Sequence, residues 1–457
     1  MNTFIALASL GVITMFLGVL NLKKWLLPFI VAGLAVTIAV ILPSWNNPGN
    51  TFLDMFYIDN FFVLFSALMV VSTLVVFLMA AQYYKGEKRS LEGIYSIIIF
   101  SLFGGIMMVS AGNMIMFFTG LEIMSISLYL LAGSHKTSYE SNEAAMKYFL
   151  MGAFASAFLL FGIALLYGAT GSLYFTDISS KIAAFHGQVP SLLKAGILLV
   201  AIGMAFKVAA APFHFWAPDV YHGSPTLITA YMITVIKVAG FAAFLRLTML
   251  CFGSDTSLWV NSVAAISAIS IVLGNFSALT QSKSKRMLAY SSVAHSGYIL
   301  IALVSIQTIT PTIIAYYSAA YVAANLAAFI VIIMVKQTTG SSDFESFNGI
   351  AKTNPVVAAC GAIAMLSLTG IPPLAGFMGK YFVFSSAIQQ GYLWLVLIAI
   401  VGSAVSIFYY FRPVINMYMK DAAYETLKTS KLSIGILVML TILTVILGLI
   451  PGLIINL

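Results

Sequence analysis

Residues 192–217 read L-L-K-A-G-I-L-L-V-A-I-G-M-A-F-K-V-A-A-A-P-F-H-F-W-A, and this stretch decides the fold class. It is long and apolar enough to cross the roughly 30 Å of hydrocarbon that about 20 helical residues span. Lys207 lies inside it, and five residues later Pro212 lacks the N–H that would bond the carbonyl of Val208. The stretch therefore predicts a membrane helix that is interrupted beside a buried lysine.

The composition of all 457 residues has the same character. Hydrophobic residues make up 61% of the chain and charged residues only 8%, whereas a soluble domain carries about 25% charged residues. A soluble globular protein is therefore excluded. The net charge of +8 does not indicate nucleic-acid binding, because the basic residues are scattered through short loops. Cys251 and Cys360 stand singly in apolar stretches, so neither a disulfide framework nor a thiolate metal site is predicted.

Apolar runs of membrane-spanning length recur from end to end, and they predict an all-α integral membrane protein of about fourteen transmembrane helices. The first run lacks the basic segment and cleavage site of a signal peptide, so we expect it to be retained. The predicted runs are 2–21, 25–42, 57–82, 91–110, 113–133, 142–168, 192–217, 224–249, 257–279, 287–306, 311–335, 354–389, 392–416 and 432–455.

The distribution of basic residues predicts the orientation. Of the 22 lysine and arginine residues, fifteen lie on the side of the loops that follow odd-numbered runs, counting Arg412 near the end of the thirteenth. On the side of the loops that follow even-numbered runs lie only Lys181, Lys194 and Arg246, the last two near run ends. Cytoplasmic loops carry the excess of Lys and Arg. We therefore expect the odd-numbered loops to be cytoplasmic and both termini to face the other side.

A few ionisable residues fall inside the predicted runs instead. A charge at such depth costs at least about 2.5–3.5 kcal/mol, and residues kept at that cost usually line an ion path or pair with one another. These residues are Lys147, Lys207, Lys237, Lys380, Glu122 and His295, with His214 just after Pro212 as a further candidate.

Less specific roles remain open for some of them. Lys147 lies only about one and a half turns from the cytoplasmic end of its run, so its ammonium group could reach the interface. Glu122 could stay protonated and bond a neighbouring helix, and a lone His295 or His214 often does no more than that.

The interruptions suggest an internal repeat. Runs four to eight and nine to thirteen each have an ionisable residue in the second helix and a proline break in the fourth, where Pro372 and Pro373 match Pro212. Because each unit has five helices, the second would be inverted, and paired interrupted helices in two halves indicate a transport site. The predicted division is an N-terminal three-helix segment, two five-helix repeats and a C-terminal helix, at 1–90, 91–250, 251–417 and 418–457.

Four segments carry a resemblance to a known family. Residues 119–131 read T-G-L-E-I-M-S-I-S-L-Y-L-L, residues 207–226 read K-V-A-A-A-P-F-H-F-W-A-P-D-V-Y-H-G-S-P-T, Lys237 opens K-V-A-G-F, and residues 368–381 read L-T-G-I-P-P-L-A-G-F-M-G-K-Y. Together they resemble the antiporter-like membrane subunits of bacterial-type NADH–quinone oxidoreductase (respiratory complex I), which are related to multisubunit cation/proton antiporters. The P-D-V-Y-H-G-S-P-T continuation resembles the N-type subunits, whereas M-type subunits typically carry Glu where this chain has Lys380.

The resemblance implies roles for individual residues. By position, Glu122 matches the central acid of the family, and Lys207, Lys237 and Lys380 match its buried lysines. Lys147 and His214 match further members of the proton route, and we expect His295 to join it.

The resemblance also implies the setting: a bacterial inner membrane, with other membrane and peripheral subunits as partners. It implies that NAD, flavin, iron–sulfur clusters and quinone belong to those partners, and this chain has no Gly-rich dinucleotide fingerprint, thiolate cluster or pair of haem histidines. We expect no cofactor and no metal in this chain.

The expected activity is proton translocation driven by a redox reaction elsewhere in the complex. Burial disfavours the charged forms of Glu122 and Lys207, while their proximity favours both charges, so moving Glu122 away would release a proton from Lys207. Two alternatives remain: a subunit of a multisubunit Na⁺/H⁺ antiporter, and a structural spacer that translocates nothing.

Overall fold

The computed structural model describes residues 2–20, 22–86, 90–185, 189–253, 255–422 and 426–457. The described chain is almost entirely helical, because backbone polar groups in hydrocarbon have to be paired within their own segment. The helices are α1 (Asn2–Val19), α2 (Leu26–Ile41), α3 (Asn60–Tyr83), α4 (Glu92–Ser110), α5 (Met114–Ala132), α6 (Tyr139–Thr170), α7 (Phe175–Ala184), α8 (Ser191–Lys207), α9 (Trp216–Gly223), α10 (Thr226–Tyr231), α11 (Lys237–Leu250), α12 (Val260–Leu279), α13 (Ser284–Val304), α14 (Thr310–Thr339), α15 (Ile350–Thr353), α16 (Pro355–Thr369), α17 (Ala375–Gln389), α18 (Leu393–Met419), α19 (Lys431–Leu449) and α20 (Gly452–Ile455).

Within the described residues, twelve helices are long and apolar enough to cross a membrane. One of them runs from Thr226 to Leu250 and contains a π-helical segment, Met232–Ile236, between α10 and α11. The other two predicted runs are interrupted. In one, α8 ends at Lys207 and α9 starts at Trp216; in the other, α16 ends at Thr369 and α17 starts at Ala375.

Loops that follow even-numbered runs meet on one side of the bundle. Phe56 pairs with Ala111 and Asn113 pairs with Tyr174 through isolated backbone bridges. Phe56 belongs to a short antiparallel hairpin, β1 (Gly49–Thr51) and β2 (Phe56–Ile58), which hydropathy does not reveal.

Loops that follow odd-numbered runs meet on the opposite side. Lys283 bridges to Asp343, and the Gln337 amide donates to the Gln82 carbonyl at 3.4 Å. These loops therefore alternate between the two sides of the bundle, as expected for successive runs that each cross the membrane. Lys88 and Arg89, which the orientation prediction counts, lie outside the described residues.

The interior of the bundle is formed by α10–α11, α13 and α14, which are almost wholly buried. In contrast, fewer than a third of the residues of α2 and α6 are buried, so these helices form part of the periphery. Lys237 and His295 therefore lie on central helices, while Lys207 and Lys380 lie at the two interrupted ones.

Two basic residues that the orientation prediction counts with the loops, Arg246 and Lys285, are buried. Arg246 in α11 is only 3% exposed, and its guanidinium group contacts both carboxylate oxygens of Asp59, at 2.5 and 2.8 Å, and the Val109 carbonyl at 3.0 Å. Lys285 in α13 is buried and donates to the carbonyls of His222, at 3.0 Å, and Ser224. The loop assignments were wrong because both residues sit near helix ends, where hydropathy does not separate a buried terminal turn from a loop.

Candidate functional site

Lys207 closes α8 immediately before the first interruption and is 7% exposed. Its Nζ donates a 2.8 Å hydrogen bond to the Ser125 hydroxyl of α5. Ser125 follows Glu122 by three residues, which is about one helical turn. Glu122 itself is half-buried and accepts a 2.5 Å hydrogen bond from Ser156 of α6. The serine that contacts Lys207 therefore lies one helical turn from Glu122, and both Lys207 and Glu122 are bonded to a serine hydroxyl.

A small cavity joins these groups. It measures about 10 Å³, and Ser125, Ser156 and Lys207 all line it. A polar cavity of about this volume can hold one water with two to four hydrogen-bond partners. Ser156, which bonds Glu122, and Lys207 therefore line the same cavity.

Side chains of other helices satisfy the backbone of the first interruption. The Ser296 hydroxyl of α13 donates to the Val208 carbonyl at 2.6 Å, and the Ala211 N–H donates to the Ser270 hydroxyl of α12 at 2.8 Å. His214 lies in the same interruption, is buried, and packs against Phe215 with ring centroids 4.8 Å apart. Irregular backbone is tolerated at membrane depth where protein covers it, as it does here.

Lys237 opens α11 directly after the π-helical segment and is 3% exposed. Its Nζ donates to the Ser292 carbonyl and, at 2.6 Å, to the Ser296 hydroxyl. Because Ser296 also bonds Val208, Lys237 is one hydroxyl away from the interruption that follows Lys207. π-Helical segments occur frequently at functional positions.

Lys380 lies in α17 beside the second interruption and is 4% exposed. Its Nζ donates to the Thr369 carbonyl, the last of α16, at 2.6 Å and to the Ser403 hydroxyl at 2.8 Å. Gly370 follows with a φ of 91°, and a Cβ there would lie 3.0 Å from the Lys380 Cδ. Glycine is thus required both by the left-handed backbone and by the lysine that packs on it.

His295 lies on α13 and is 4% exposed. In sequence it falls between Lys237 of α11 and Lys380 of α17. Its Nδ1 is 2.7 Å from the Tyr317 hydroxyl and its Nε2 is 3.2 Å from the Tyr410 hydroxyl. The ring of Tyr298, one turn further along α13, lies 4.8 Å below the Lys380 ammonium group. The ring centroids of His295 and Tyr298 are 5.7 Å apart, so Tyr298 contacts both His295 and Lys380.

Lys147 differs from the other three lysines. Its side chain is 42% exposed and pairs with Glu143 at 2.8 Å and with Asp219 at 3.0 Å. Asp219 also pairs with Arg286 at 2.9 Å. Lys147 thus belongs to a charged cluster on the side where the odd-numbered loops meet, and its ammonium group reaches an interface.

Lys207, Lys237 and Lys380 share one feature. Among the described residues none of them forms an ion pair, and each donates only to neutral hydroxyl or carbonyl oxygens. A buried ammonium group without a counter-ion is costly, so these three lysines are the candidates for groups whose charge changes during function. Within the part of the chain that is described, no group of three or more His, Cys, Asp or Glu side chains is arranged to hold a metal ion.

The groups that contact the buried lysines and His295 were not among the residues predicted from the sequence. Ser125, Ser296, Ser403, Tyr317 and Tyr410 contact the lysines and the histidine directly. Their residue types are common in membrane helices, so no signal in a single sequence separates them from other serines and tyrosines.

Comparison with known proteins identifies the family. Residues 111–406 match the family described as NADH:quinone oxidoreductase/Mrp antiporter, TM. The chain is 38% identical over 464 residues to NADH-quinone oxidoreductase subunit N of Flavobacterium johnsoniae, covering 100% of both chains. It is 39% identical over 458 residues to subunit N of Cytophaga hutchinsonii, covering 100% of this chain and 99% of that one.

A solved structure gives the same result. A chain of respiratory complex I from Thermus thermophilus with bound aureothin superposes with a TM-score of 0.85 at 32% identity, over 99% of this chain and 98% of that one. The chain therefore belongs to the NADH:quinone oxidoreductase/Mrp antiporter family of membrane subunits, in which relatives that align with its whole length are named NADH-quinone oxidoreductase subunit N.

Proposed function

We propose that this chain translocates protons as an antiporter-like subunit of a membrane NADH–quinone oxidoreductase. One observation carries the proposal: three buried lysines and a buried histidine lie along the bundle, and none of the lysines has a carboxylate partner among the described residues. Ionisable groups kept inside a membrane bundle at such cost usually mark an ion path.

The hydrogen bonds support an order for the relay. Protons enter at the charged cluster around Lys147 on the cytoplasmic side, with His214 as a further member near the first interruption. Glu122 and Lys207 are linked through the serines and the cavity between them. Ser296 then links the first interruption to Lys237. The route continues along α13 to His295 and, past Tyr298, to Lys380 at the second interruption.

Movement of Glu122 is the proposed trigger. A carboxylate close to Lys207 stabilises its ammonium form, and withdrawing the carboxylate leaves a charge whose hydrogen-bond partner, among the described residues, is the Ser125 hydroxyl. The proton is then driven onward through the relay. The half-buried position of Glu122 leaves one side of it open to a neighbouring subunit.

The proposed architecture counts each interrupted helix as one span. Adding the α8–α9 and α16–α17 segments to the twelve continuous spans gives fourteen, arranged as two inverted five-helix repeats within the predicted division of the chain. The excess of basic residues in the odd-numbered loops supports a cytoplasmic location for that side and the opposite location for both termini, in a bacterial inner membrane.

Redox chemistry is assigned to partner subunits. The relatives are subunits of a multisubunit oxidoreductase. We propose that NAD, flavin, iron–sulfur clusters and quinone bind in those partners, and that this chain contributes translocation alone.

The test is Lys207→Met in the assembled complex, assayed in membrane vesicles for proton uptake and NADH oxidation. We expect proton pumping to fall, with electron transfer falling only as far as the two are coupled. Lys194→Met is the matched control, since Lys194 lies in the same helix α8 but is exposed. Normal pumping by the Lys207 variant would contradict the relay and favour the structural spacer.

The coupling ion is tested separately. The matching family also includes Mrp antiporter subunits, which keeps Na⁺/H⁺ exchange as the second candidate. Vesicles containing the complex are loaded with Na⁺, and Na⁺ movement is measured during NADH oxidation. Obligatory Na⁺ counter-transport that the Lys207 variant abolishes would favour the antiporter activity over proton translocation alone.

A further inference from the structure

We propose that Tyr317 and Tyr410 are relay residues, which hold His295 by both ring nitrogens so that a proton is received at one nitrogen and released from the other. This inference rests on the proposed function, because it assigns new members to the same relay. The tyrosine pair follows from contacts of this chain rather than from its motifs.

The arrangement joins three helices. His295 lies on α13, Tyr317 on α14 and Tyr410 on α18, and all three side chains are buried. The Tyr317 hydroxyl is 2.7 Å from Nδ1, and the Tyr410 hydroxyl is 3.2 Å from Nε2. Both distances allow hydrogen bonds, so each nitrogen of the ring has its own phenol.

The chemistry of these partners is unusual for a buried histidine. A neutral imidazole has one N–H donor and one acceptor nitrogen. A carbonyl or carboxylate partner fixes which nitrogen carries the proton, because such a group can only accept. A phenol hydroxyl both donates and accepts. Two phenols therefore satisfy either tautomer of His295, and the ring is free to change between them.

Both tyrosines also lead away from the ring. The Tyr410 hydroxyl bonds the Ser291 hydroxyl, and Ser291 precedes Ser292, whose carbonyl accepts from Lys237. On the other side, Tyr317 and His295 line a cavity of about 10 Å³ that Ser367 also lines. Ser367 lies two residues before Thr369, the residue that bonds Lys380.

The proton balance is simple. In the starting state Nδ1–H donates to Tyr317 and Nε2 accepts from Tyr410. A proton arrives at the Tyr410 oxygen as the Tyr410 hydroxyl proton passes to Nε2. The Nδ1 proton passes to the Tyr317 oxygen as the Tyr317 hydroxyl proton leaves into the cavity. One proton has entered and one has left, no net charge remains, and reorientation of the ring resets the relay.

The experiment compares single hydroxyl deletions in the assembled complex. Tyr410→Phe and Tyr317→Phe keep the rings and remove the hydroxyls. Tyr316→Phe is the matched control, because Tyr316 is the buried residue next to Tyr317 in α14 and its hydroxyl donates to the Leu447 carbonyl at 2.6 Å instead of contacting His295. Proton pumping and NADH oxidation are measured in the same vesicles, matched for assembled complex.

We expect each of the two test variants to lower the pumping rate at least about tenfold, since proton transfer by a positioned side chain commonly contributes more than that. The control variant should stay within about twofold of the unmodified complex. An equal loss in Tyr316→Phe would overturn the proposal, because packing rather than the relay would then explain all three results.

His295→Gln separates this inference from the proposed function. Glutamine can hydrogen-bond two hydroxyls but cannot exchange tautomers, so pumping should be lost. If His295→Gln pumps normally, His295 is not in the relay and the proposed route fails with the tyrosine pair. If His295→Gln is inactive while both tyrosine variants pump normally, the route stands and the tyrosine pair is excluded.

A conservative replacement covers the case in which a variant does not assemble. Difluorotyrosine introduced at position 410 keeps the hydroxyl in place and makes it more acidic. The alkaline limb of the pumping rate should then move to lower pH. An unchanged pH profile in the assembled complex would exclude Tyr410 from proton transfer.

Discussion

The Ser296 hydroxyl donates a 2.6 Å hydrogen bond to the carbonyl of Val208, the group that Pro212 deprives of its helical partner. The same hydroxyl accepts a 2.6 Å hydrogen bond from Lys237. A buried carbonyl without a donor is costly, so a side chain that supplies one stabilises the interruption. Ser296 therefore joins the break in one helix to the lysine of another.

A parallel arrangement occurs at the second interruption. Lys380 donates to the Ser403 hydroxyl at 2.8 Å, and that hydroxyl lies 3.1 Å from the Thr369 carbonyl, to which it donates. At both interruptions a lysine, a serine hydroxyl and a carbonyl at a helix break form one contiguous group. A change in the charge of either lysine would therefore alter a hydrogen bond to the serine that caps the break.

Ser296→Ala should destabilise the first interruption and slow pumping. It leaves the Val208 carbonyl without a donor, at a cost of about 1–3 kcal/mol. Ser296→Thr keeps a hydroxyl and should restore most of the pumping. Ser110→Ala is the control, since the buried Ser110 hydroxyl bonds only carbonyls of its own helix. Vesicle pumping and thermal unfolding of the complex measure both effects; a Thr variant as slow as Ala would show that shape rather than the hydroxyl matters.

Lys380→Arg and Lys380→Glu separate a relay role from a structural one. Arg keeps the positive charge and can still donate to Thr369 and Ser403, but it does not release its proton at accessible pH. A buried carboxyl group can gain and lose a proton. We therefore expect the Glu variant to pump better than the Arg variant when vesicles are matched for assembled complex. A pH-sensitive dye reports pumping during quinone reduction, and equal or better pumping by Arg would make Lys380 a structural cation.

Asp59→Asn should destabilise the full chain, because it leaves the buried Arg246 unpaired. We expect a loss of about 3 kcal/mol, the lower end for breaking a buried pair, since Asp59 is 34% exposed. Asp54→Asn is the control because Asp54 is exposed. Thermal unfolding in detergent measures the difference, and equal unfolding temperatures for the two variants would show that the pair contributes little.

The ion pair between Asp59 and Arg246 also predicts how the stability of the fold depends on pH. Burial disfavours the Asp59 carboxylate, but the hydrogen bond and charge of Arg246 outweigh it and lower the Asp59 pKa below its ordinary value of 3.8. A lowered pKa in the folded state stabilises the fold above pH 3.8, and this contribution is lost as the pH falls through the folded-state pKa. The Asp59→Asn variant should lack this contribution. When the stability of the unmodified protein and of the variant is measured against pH, the difference between them should disappear below the folded-state pKa of Asp59.

Thiol labelling tests the orientation. Thr137 is exposed in the loop before α6, and Asn456 is exposed near the C-terminus. Cysteines placed there by Thr137→Cys and Asn456→Cys should react with an impermeant reagent from the cytoplasmic and the opposite side, respectively. Background labelling should be low, since Cys251 and Cys360 are buried. Labelling of the position-137 cysteine from outside intact cells would reverse the topology.

The sequence by itself determined the membrane class, the two helix interruptions and the buried lysines. Hydropathy and charge are properties of each run, and a proline or glycine breaks a helix wherever the helix lies. Lys207, Lys237 and Lys380 stand out because a charge in an apolar run is rare. These features depend on local chemistry, so they could be read without knowing which helices are neighbours.

Only the tertiary structure decided which groups meet. Lys207 bonds Ser125 across 82 residues of chain, and Ser296 bonds Val208 across 88. A serine or tyrosine can bond its own helix or a neighbour at little cost, so neither its presence nor its spacing indicates its partner. The pairing of Arg246 with Asp59, 187 residues apart, was hidden for the same reason. Helix packing brings these groups together, and the packing is not encoded in any one run.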